Sequence, residues 1–336
     1  MTYANAKASD AVHTLDVVLV NYRTGALAVS CLETLAAERG PNIRLRAFVV
    51  DNASPDDSAD VIERAIARKG WDWARVIRSP VNGGFGAGNN LGFAAVLAED
   101  DPADTIWLLN PDTRVMPGAA AALVRFMAKV PAAGIVGTAL LNGDGQPWPY
   151  AFRFPGVLGE LERGLRWRPA SAVLARYAIP RLMGADPERV DWVSGASFAV
   201  RRTVVEEGLR FDEGFFLYYE EVDFCRMARN QGWQCWYLPQ AVVLHIVGQS
   251  TGVPAGNAGV QRMPSYWFDS RQRYFVKNHG KAYALAADIA WMGAHAMFMT
   301  KQALRREKPN DPDRLLSDFA RHSALLLRPG QRLESA

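Results

Sequence analysis

The first half of the chain alternates short apolar runs with stretches in which apolar residues recur every three or four positions. Short apolar runs are typical of buried strands, and the recurrence is typical of amphipathic helices. Their alternation predicts βαβ units and a mostly parallel central sheet flanked by helices. The predicted strands are 15–20, 45–50, 75–77, 105–109 and 134–140, and the predicted helices are 24–38, 58–68, 89–99 and 119–129.

The pattern changes after residue 141. Residues 142–190 are rich in Pro, Gly, Arg and Trp and are predicted to form a long excursion. Regular structure is expected again at 192–200, in a helix at 221–230, in strands near Trp236 and Val242, and in helices from Ser265 onward, before a polar tail after Pro309. We therefore predict a flexible N-terminus (1–14), a main α/β domain (15–264) with halves 15–140 and 141–264, and a C-terminal helical extension with its tail (265–336).

Composition narrows the function classes. The 336 residues are 49% hydrophobic and carry a net charge of +3, which allows a sizeable core and does not favour nucleic acid as a partner. Cys31, Cys225 and Cys235 are widely spaced and form no CxxC motif, so we expect reduced, buried thiols. The N-terminus does not resemble a signal peptide, and no apolar run reaches the length of a membrane span. These features predict a cytoplasmic protein that can still touch a membrane.

Polar residues follow two of the predicted strands directly. Asp51 and Asn52 come after the run AFVV, and Asp112 comes just past the run WLL. The carboxyl ends of parallel strands border the crevice in which open α/β sheets bind ligands. Asp-Asn is also an ordinary turn signal, and Asp112 could cap a helix instead of binding a divalent cation, so both alternatives stay open from the residues alone.

A glycine-rich stretch at 79–92 precedes the predicted helix 89–99. Glycines allow close approach of the backbone to a ligand, and a helix N-terminus favours phosphate. The dinucleotide fingerprint G-x-G-x-x-G fails because its third glycine is missing in both registers. Asparagines in this stretch favour hydrogen bonds to a base or ribose instead: Asn82, Asn89 and Asn90.

An acidic cluster, Glu220, Glu221 and Asp223, follows the aromatic run FFLYY at a predicted helix start. The helix dipole favours ionised carboxylates there, and a positioned carboxylate can serve as a general base. A solvated acidic face is the structural alternative. His245 ends the run AVVLH; a single histidine there is more often structural, although its imidazole suits a divalent metal.

In chain order, the segments VNY, VVDNAS, NGGFGAGNN, LLNPDT, VSGA, FDEGFFLYYEEVDFC and HIVGQS resemble the family 2 glycosyltransferases. The similarity is greatest to rhamnosyltransferase-like and galactofuranosyltransferase-like members that build bacterial polysaccharides. It covers about residues 15–252. The resemblance implies a GT-A fold, with a Rossmann-like sheet whose first half binds the nucleotide and whose second half holds the acceptor and the catalytic residues.

The resemblance also implies roles for the matching positions. A divalent cation, Mg²⁺ or Mn²⁺, would be bound by Asp112 and His245. Glu221 would be the catalytic base, with Glu220 and Asp223 as alternatives. The implied nucleotide-binding residues are Asn21, Tyr22, Asp51, Asn82, Gly83 and Asn110. The implied donor-sugar and acceptor residues are Asn89, Trp192, Gly195 and Ala196.

Two positions depart from the family pattern. Asn110 replaces the first aspartate of the metal-binding DxD motif, which removes one charge from the metal site. Glu221 stands where the family more often has Asp, and its extra methylene extends the reach of the carboxylate. The Q-x-x-R-W motif of processive synthases is absent, which favours the addition of one sugar, or few, per encounter.

The function expected from the resemblance is inverting transfer of a sugar from a dTDP-rhamnose or UDP-hexose type donor to a hydroxyl of a glycan or lipid-linked glycan. The turn 21–25 is too short for the basic loop of a nucleotidyltransferase, and the failed fingerprint disfavours a dinucleotide-dependent oxidoreductase. A non-catalytic homologue that binds nucleotide sugar as an assembly partner is the remaining alternative.

The extension contains one further pattern. Lys281, Asp288, His295 and Gln302 recur every seven residues within an apolar segment, which predicts a narrow polar stripe on a helix. We expect this helix to pack on the main domain or on a second subunit of a homodimer and to expose only the stripe. Peripheral membrane contact is the alternative, because basic residues follow the helix at 305–308.

Overall fold

The computed structural model describes residues 12–148, 151–246, 262–307, 311–324 and 326. The strands are β1 His13–Asn21, β2 Ile43–Asp51, β3 Ala74–Arg78, β4 Thr105–Leu109, β5 Thr113–Val115, β6 Ala133–Leu141, β7 Ala151–Phe152, β8 Glu188–Val190, β9 Trp192–Val193, β10 Ser197–Arg201 and β11 Gln234–His245. The α-helices are α1 Gly25–Glu38, α2 Ser58–Lys69, α3 Gly84–Leu97, α4 Ala119–Lys129, α5 Val157–Leu165, α6 Arg168–Leu174, α7 Arg202–Glu206, α8 Glu220–Asn230, α9 Ser265–His279, α10 Lys281–Leu304 and α11 Leu315–Arg321.

Nine strands form one mixed sheet in the order β3-β2-β1-β4-β10-β6-β11-β5, with β8 paired to β11 outside this path. Strands β3, β2, β1 and β4 are mutually parallel, and β6 is parallel to β11. Strand β10 is antiparallel to both β4 and β6 and joins the two parallel parts. The predicted α/β fold is confirmed. The C-terminal ends of β1, β2, β4, β6 and β11 lie at the same edge of the sheet.

The inner strands are buried on both faces, as expected for parallel strands covered by helices. In β1, Leu15, Val17 and Leu19 belong to one buried cluster, while Val18 packs with Phe48 in the cluster on the opposite face. Successive side chains of a strand point to opposite faces, so a continuous apolar run fills both layers of the core. This is why the apolar runs located the first strands correctly.

Helix α3 begins earlier than its predicted start at residue 89. It begins at Gly84 and includes most of the glycine-rich stretch. A Cβ atom at Gly88 would lie 2.6 Å from the Val20 side chain, and one at Gly92 would lie 2.2 Å from Val18. These two glycines therefore allow the helix to lie directly against β1, and the prediction of a glycine-rich loop ahead of the helix is wrong.

Several short elements were missed by the sequence analysis. The predicted excursion at 142–190 contains β7, α5, α6 and β8, and α5 packs on α10. Strand β5 has three residues, too few to show a periodicity. Strand β11 is a single strand with a register shift between Leu238 and Val242, where two strands were predicted.

Helix α10 is oriented opposite to the prediction. Asp288 and His295 are 0% and 1% exposed, and Gln302 is 7% exposed, so most of the predicted polar stripe faces the protein. The reason is a buried ion-pair network: the Arg271 guanidinium of α9 donates hydrogen bonds to Asp288 Oδ1 at 2.5 Å and to Glu160 Oε2 of α5 at 2.8 Å. The exposed face of α10 is instead mainly apolar.

The helical extension shares a core with the preceding half. Phe215 and Val222 form one buried cluster with Tyr274, Phe275 and helix α10 alanines. The predicted boundary at residue 264, between the main domain and the C-terminal extension, stays a prediction.

Candidate active site

The ends of β1 and β2 hold a hydrogen-bonded polar cluster. Asn21 and Asp51 are paired in the sheet register, and Asn21 Nδ2 donates to Asp51 Oδ1 at 2.7 Å. Ser54 donates twice to the same carboxylate, from Oγ to Oδ1 at 2.7 Å and from its backbone N–H to Oδ2 at 3.0 Å. Thr24 Oγ1 donates to Asn21 Oδ1 at 2.8 Å. The carboxylate of Asp51 is thereby fixed, with one accepting position left on Oδ2.

A second amide cluster lies beside the first. Asn52 Nδ2 donates to Asn82 Oδ1 at 2.8 Å and to the carbonyl oxygen of Gly84 at 2.9 Å. Asn82 Oδ1 also accepts the N–H of Gly84, and the next N–H, of Phe85, donates to the carbonyl oxygen of Phe216. Two of the first N–H groups of α3 are therefore occupied by protein, so this helix N-terminus is not the open phosphate site that the sequence suggested.

The remaining asparagines of this stretch bond to protein. Asn89 is 1% exposed, and its Nδ2 donates to the Phe85 carbonyl one helical turn earlier. Asn90 exchanges hydrogen bonds with the backbone of Phe211. The Asn90 side chain holds α3 against the segment before α8, whereas the Asn89 hydrogen bond lies within α3 itself. The role of Asn89 in sugar binding stays a prediction. Gly83 directly precedes α3, and Tyr22 is half-buried just after β1.

Asp112 and His245 lie side by side, although 133 residues separate them in the sequence. Strand β5 pairs Thr113 with His245, and the Ile246 N–H donates to the carbonyl oxygen of Asp112 at 2.9 Å. His245 Nε2 is 3.3 Å from Asp112 Oδ1. The unpredicted strand β5 thus brings together the two predicted metal ligands. Residues 247–250 of the HIVGQS segment lie outside the described residues.

The pair fits a divalent cation. Asp112 Oδ1 is buried and forms no hydrogen bond with any described residue, so the 3.3 Å approach of His245 Nε2 lacks hydrogen-bond alignment. Neighbouring ligands about 2.1 Å from an octahedral ion lie about 3 Å apart, close to this separation. Within the described ranges no cluster of three or more His, Cys, Asp or Glu side chains could hold a metal. A two-ligand site suits Mg²⁺ or Mn²⁺, which complete their coordination with water and substrate phosphates.

A backbone bridge connects the end of β4 to the acidic cluster. The Asn110 N–H donates to the carbonyl oxygen of Ala196 at 2.9 Å. Next to it, a Cβ atom at Gly195 would lie 3.8 Å from Glu221 Cβ and 3.6 Å from the Phe85 ring. The predicted residues Asn110, Ala196, Gly195 and Glu221 therefore form one continuous group.

Glu220 and Glu221 are adjacent carboxylic acids with few polar partners. Oε2 of each side chain is shielded from solvent and forms no hydrogen bond within the described part of the chain. Burial raises the pKa of Glu221 to about 7, against hydrogen bonds from backbone N–H groups that lower it. Burial and the charge of Glu221 raise the pKa of Glu220 well above its ordinary value. A pKa near 7 suits Glu221 to act as a general base at neutral pH.

The backbone before α8 is strained. Tyr218 and Tyr219 have φ angles of 70° and 66°, the left-handed region that residues with a Cβ rarely adopt. Such strain persists only where the surroundings enforce it, and it concentrates at functional sites. Here it turns the chain so that Glu220 and Glu221 begin the helix.

Two predicted residues are held by other contacts. Asp223 is 0% exposed, and its two oxygens accept hydrogen bonds from Lys277 Nζ at 2.6 Å and Asn278 Nδ2 at 2.8 Å. The Trp192 ring stacks on Phe152 at 4.1 Å between centroids. These contacts join α8 to α9 and β9 to β7, and leave Glu220 and Glu221 as the candidate bases.

The sequence analysis missed site residues with ordinary local signals. Ser54 could have been found from its spacing, because a capping Asp side chain accepts the backbone N–H two or three residues later. Asn52 was noted beside Asp51 at the end of a strand, with a turn as the alternative, but it was given no role among the site residues. The partners of Asp223, Lys277 and Asn278, lie on α9 and have no local signal.

The comparisons with known proteins identify the family. The profile described as "Glycosyltransferase like family 2" matches residues 13–273. The chain belongs to this family. It is 30% identical over 266 residues to the N-acetylglucosaminyl-diphospho-decaprenol L-rhamnosyltransferase of Mycobacterium tuberculosis, covering 76% of this chain and 83% of that protein. It is 24% identical to the low-salt glycan biosynthesis hexosyltransferase Agl10 of Haloferax volcanii, covering 68% of this chain and 66% of that one.

Solved structures share the fold. A crystal structure of GalNAc-T7 with UDP, GalNAc and Mn²⁺ has a TM-score of 0.55 at 15% identity, covering 93% of this chain and 54% of that one. The mannosyltransferase PcManGT of Pyrobaculum calidifontis, with GDP-Man and Mn²⁺, also has a TM-score of 0.55 at 15% identity, covering 91% and 79%. The predicted GT-A fold and glycosyltransferase class are confirmed, as is the resemblance to rhamnosyltransferases.

Proposed function

We propose that this glycosyltransferase uses a divalent cation and inverts the anomeric carbon as it transfers a rhamnosyl or hexosyl group to a hydroxyl of a lipid-linked glycan. The observation that carries the proposal is the continuous group running from the Asp112–His245 pair through Asn110, Ala196 and Gly195 to Glu221. The names of the relatives, a rhamnosyltransferase for a decaprenol-linked acceptor and a hexosyltransferase, support the class of donor and acceptor.

The polar cluster at the ends of β1 and β2 suits a pyrimidine base. Asp51 Oδ2 retains one accepting position, and the imide N–H of uracil or thymine is a matching donor. Asn21 and Ser54 hold the carboxylate in place for that contact. We therefore infer a dTDP- or UDP-linked donor.

In this mechanism Glu221 accepts the proton of the acceptor hydroxyl as its oxygen attacks the anomeric carbon. The nucleoside diphosphate leaves from the opposite face, so the configuration inverts. Asp112 and His245 would hold the cation, which supplies charge neutralisation to the diphosphate when bound. Much of the acceleration is expected from positioning acceptor, anomeric carbon and diphosphate in line.

Replacing Asp112 by Ala should abolish metal-stimulated transfer, because the substitution removes the only carboxylate of the pair. The measurement is nucleoside diphosphate release with Mn²⁺ over a range of concentrations, with a melting curve to show that the fold is intact. Asp144→Ala, at an exposed carboxylate in the turn after β6, is the control and should retain full activity. Full metal-stimulated activity of the Asp112 variant would remove this residue from the site.

We further propose that α10 attaches the protein peripherally to the membrane that carries the acceptor. Between its ends the exposed positions are uncharged, and at and just beyond the ends the basic residues Lys281, Arg305 and Arg306 outnumber the acidic Glu307. An apolar face with basic ends suits the surface of an anionic bilayer. No helix in the described part of the chain is long and apolar enough to cross a bilayer. Exposed members of this face include Ala282, Ala286, Ile289, Gly293, Ala296, Met297, Thr300, Ala303 and Leu304.

Charges placed on this face should weaken membrane binding. Ile289 and Met297 are 55% and 63% exposed, so Glu at both positions should reduce co-sedimentation with phosphatidylglycerol vesicles several-fold without unfolding the chain. Val12→Glu, at a residue 60% exposed before β1, is the control and should pellet like the wild type. Equal pelleting of the double variant and the wild type would exclude α10 as the attachment site.

A further inference from the structure

A basic pocket lies away from the candidate active site. It is a half-open pocket of about 280 Å³ between β8, the start of β11, the end of α8 and the segment after β7. Four arginines line it, Arg153, Arg181, Arg189 and Arg229, and Asp191 is the one acidic residue among its described lining residues. We propose that this pocket binds a phosphate or diphosphate group.

The carboxylates near the pocket do not neutralise it. Asp191 Oδ1 accepts from Arg229 at 2.9 Å, and its Oδ2 is occupied by the backbone N–H of Phe154. Arg181 pairs with Glu188 at 2.9 Å. Among the described residues Arg153 and Arg189 form no ion pair, and the one side-chain hydrogen bond of Arg153 goes to the carbonyl oxygen of Ala178. Arg153 and Arg189 therefore add two positive charges to the pocket lining that no described carboxylate pairs with.

The donor geometry favours phosphate over a single carboxylate. Each guanidinium presents five N–H groups in a planar fork, and the described residues accept hydrogen bonds from only some of those on the four arginines. Several such forks match the many oxygens of a phosphate or diphosphate, whereas one carboxylate offers only two oxygens. Trp233 forms part of the wall.

The pocket is distinct from the donor site. Cys235 of the pocket pairs with Ile135 of β6, whereas Leu244, next to His245, pairs with Leu141 of the same strand. Ile135 and Leu141 are six residues apart, so about 20 Å separates the pocket from the metal pair. Arg229 lies eight residues after Glu221 on α8, an axial distance of about 12 Å. A diphosphate bound here would thus be nearer to the candidate base than to the metal pair. The phosphate could belong to a free metabolite or to the diphosphate of a lipid-linked acceptor.

Calorimetric titration of the full chain with inorganic pyrophosphate tests the pocket directly. EDTA in the buffer removes divalent cations and so prevents metal-dependent binding at the donor site. We expect one binding site in the wild type and an affinity at least about tenfold lower after Arg153→Ala with Arg189→Ala, because two charge-assisted contacts are lost. Arg189→Ala alone, at an exposed residue without an ion pair, gives the same direction of change if the double variant fails to fold. Arg125→Ala, at an exposed residue of α4, should bind like the wild type.

The absence of pyrophosphate binding in the wild type, or equal binding by wild type and the Arg153 and Arg189 variants, would overturn the proposal. A second experiment identifies the source of the phosphate, and it rests on the proposed function. It compares the KM for N-acetylglucosaminyl-diphospho-decaprenol with the KM for a neutral alkyl N-acetylglucosaminide. A rise in KM for the diphosphate acceptor alone, in the double variant, assigns the pocket to the acceptor. Unchanged KM values together with lost pyrophosphate binding assign the pocket to a free phosphate or diphosphate ligand. Either result supports the proposal that the pocket is a phosphate-binding site. The pyrophosphate titration does not depend on catalysis, so its result stands even if the proposed transferase function is wrong.

Discussion

Glu221→Gln should lower kcat about 10²-fold or more, while donor binding stays nearly unchanged. Glutamine keeps the size of the side chain but cannot accept the acceptor proton. The donor contacts lie at Asp51 and the Asp112–His245 pair, which the substitution does not alter. The measurement is steady-state transfer combined with calorimetric titration of the donor nucleotide. Glu220→Gln is the matched comparison, since it changes the adjacent carboxylate.

The pH profile provides an independent check on the same residue. The pKa of Glu221 is raised to about 7, so the proton-accepting form is depleted as pH falls through 7. We expect kcat of the wild type to decrease below that pH, and the residual activity of Glu221→Gln to lose this dependence. A full loss of activity in Glu220→Gln, with Glu221→Gln active, would transfer the role of base to Glu220.

Stability should change in the opposite direction to activity. A carboxyl group whose pKa is higher in the folded state than in the unfolded chain favours folding when protonated, and this contribution decreases as pH rises from about 4.5 to 7. At pH 8 the folded protein therefore bears the cost of a buried charge, and Glu221→Gln should raise Tm. A lower Tm would show that the loss of activity came from damage to the fold.

Arg271→Leu should lower the free energy of unfolding by about 3–5 kcal/mol. The guanidinium is 2% exposed and bonded to Glu160 and Asp288, which are both 0% exposed. Removing the arginine leaves two carboxylates buried with fewer positive partners, and their desolvation is no longer offset. The measurement is urea unfolding at pH 7, with the exposed Arg305→Leu as a control expected to change stability by less than about 1 kcal/mol.

The charges of Glu160 and Asp288 account for the expected loss of stability, because both carboxylates are buried and bonded to Arg271. Adding Glu160→Gln and Asp288→Asn to Arg271→Leu should recover part of the lost stability, because the uncompensated charges are then gone. Equal stability of Arg271→Leu and the wild type would mean that the ion pairs are not needed to join the helices.

Much of the sheet and several site residues could be predicted because their signals are local. The apolar runs before Asp51 and Asn110 fill both faces of the core, and polar residues at the ends of such strands lie at one edge. The Asp112–His245 pair followed from the family resemblance, since no local feature shows that β5 pairs with the end of β11.

The errors came from interactions between distant segments. The start of α3 was misplaced because Gly88 and Gly92 weaken an isolated helix, yet here they allow contact with β1. The orientation of α10 was reversed because a carboxylate needs either solvent or a partner, and no local feature of the sequence shows that Arg271 is the partner of Asp288. A polar stripe identifies one face of a helix, but it does not show whether that face lies toward solvent or toward the rest of the protein.

The most direct test is nucleoside diphosphate release from dTDP-rhamnose and from UDP-hexoses, with N-acetylglucosaminyl-diphospho-decaprenol as acceptor, in Mn²⁺ and in EDTA. The account predicts release that depends on both acceptor and metal for at least one donor, and that falls about 10²-fold or more in Glu221→Gln. Binding of these donors without any release or sugar transfer would contradict it, and would indicate a homologue that binds nucleotide sugar without catalysis.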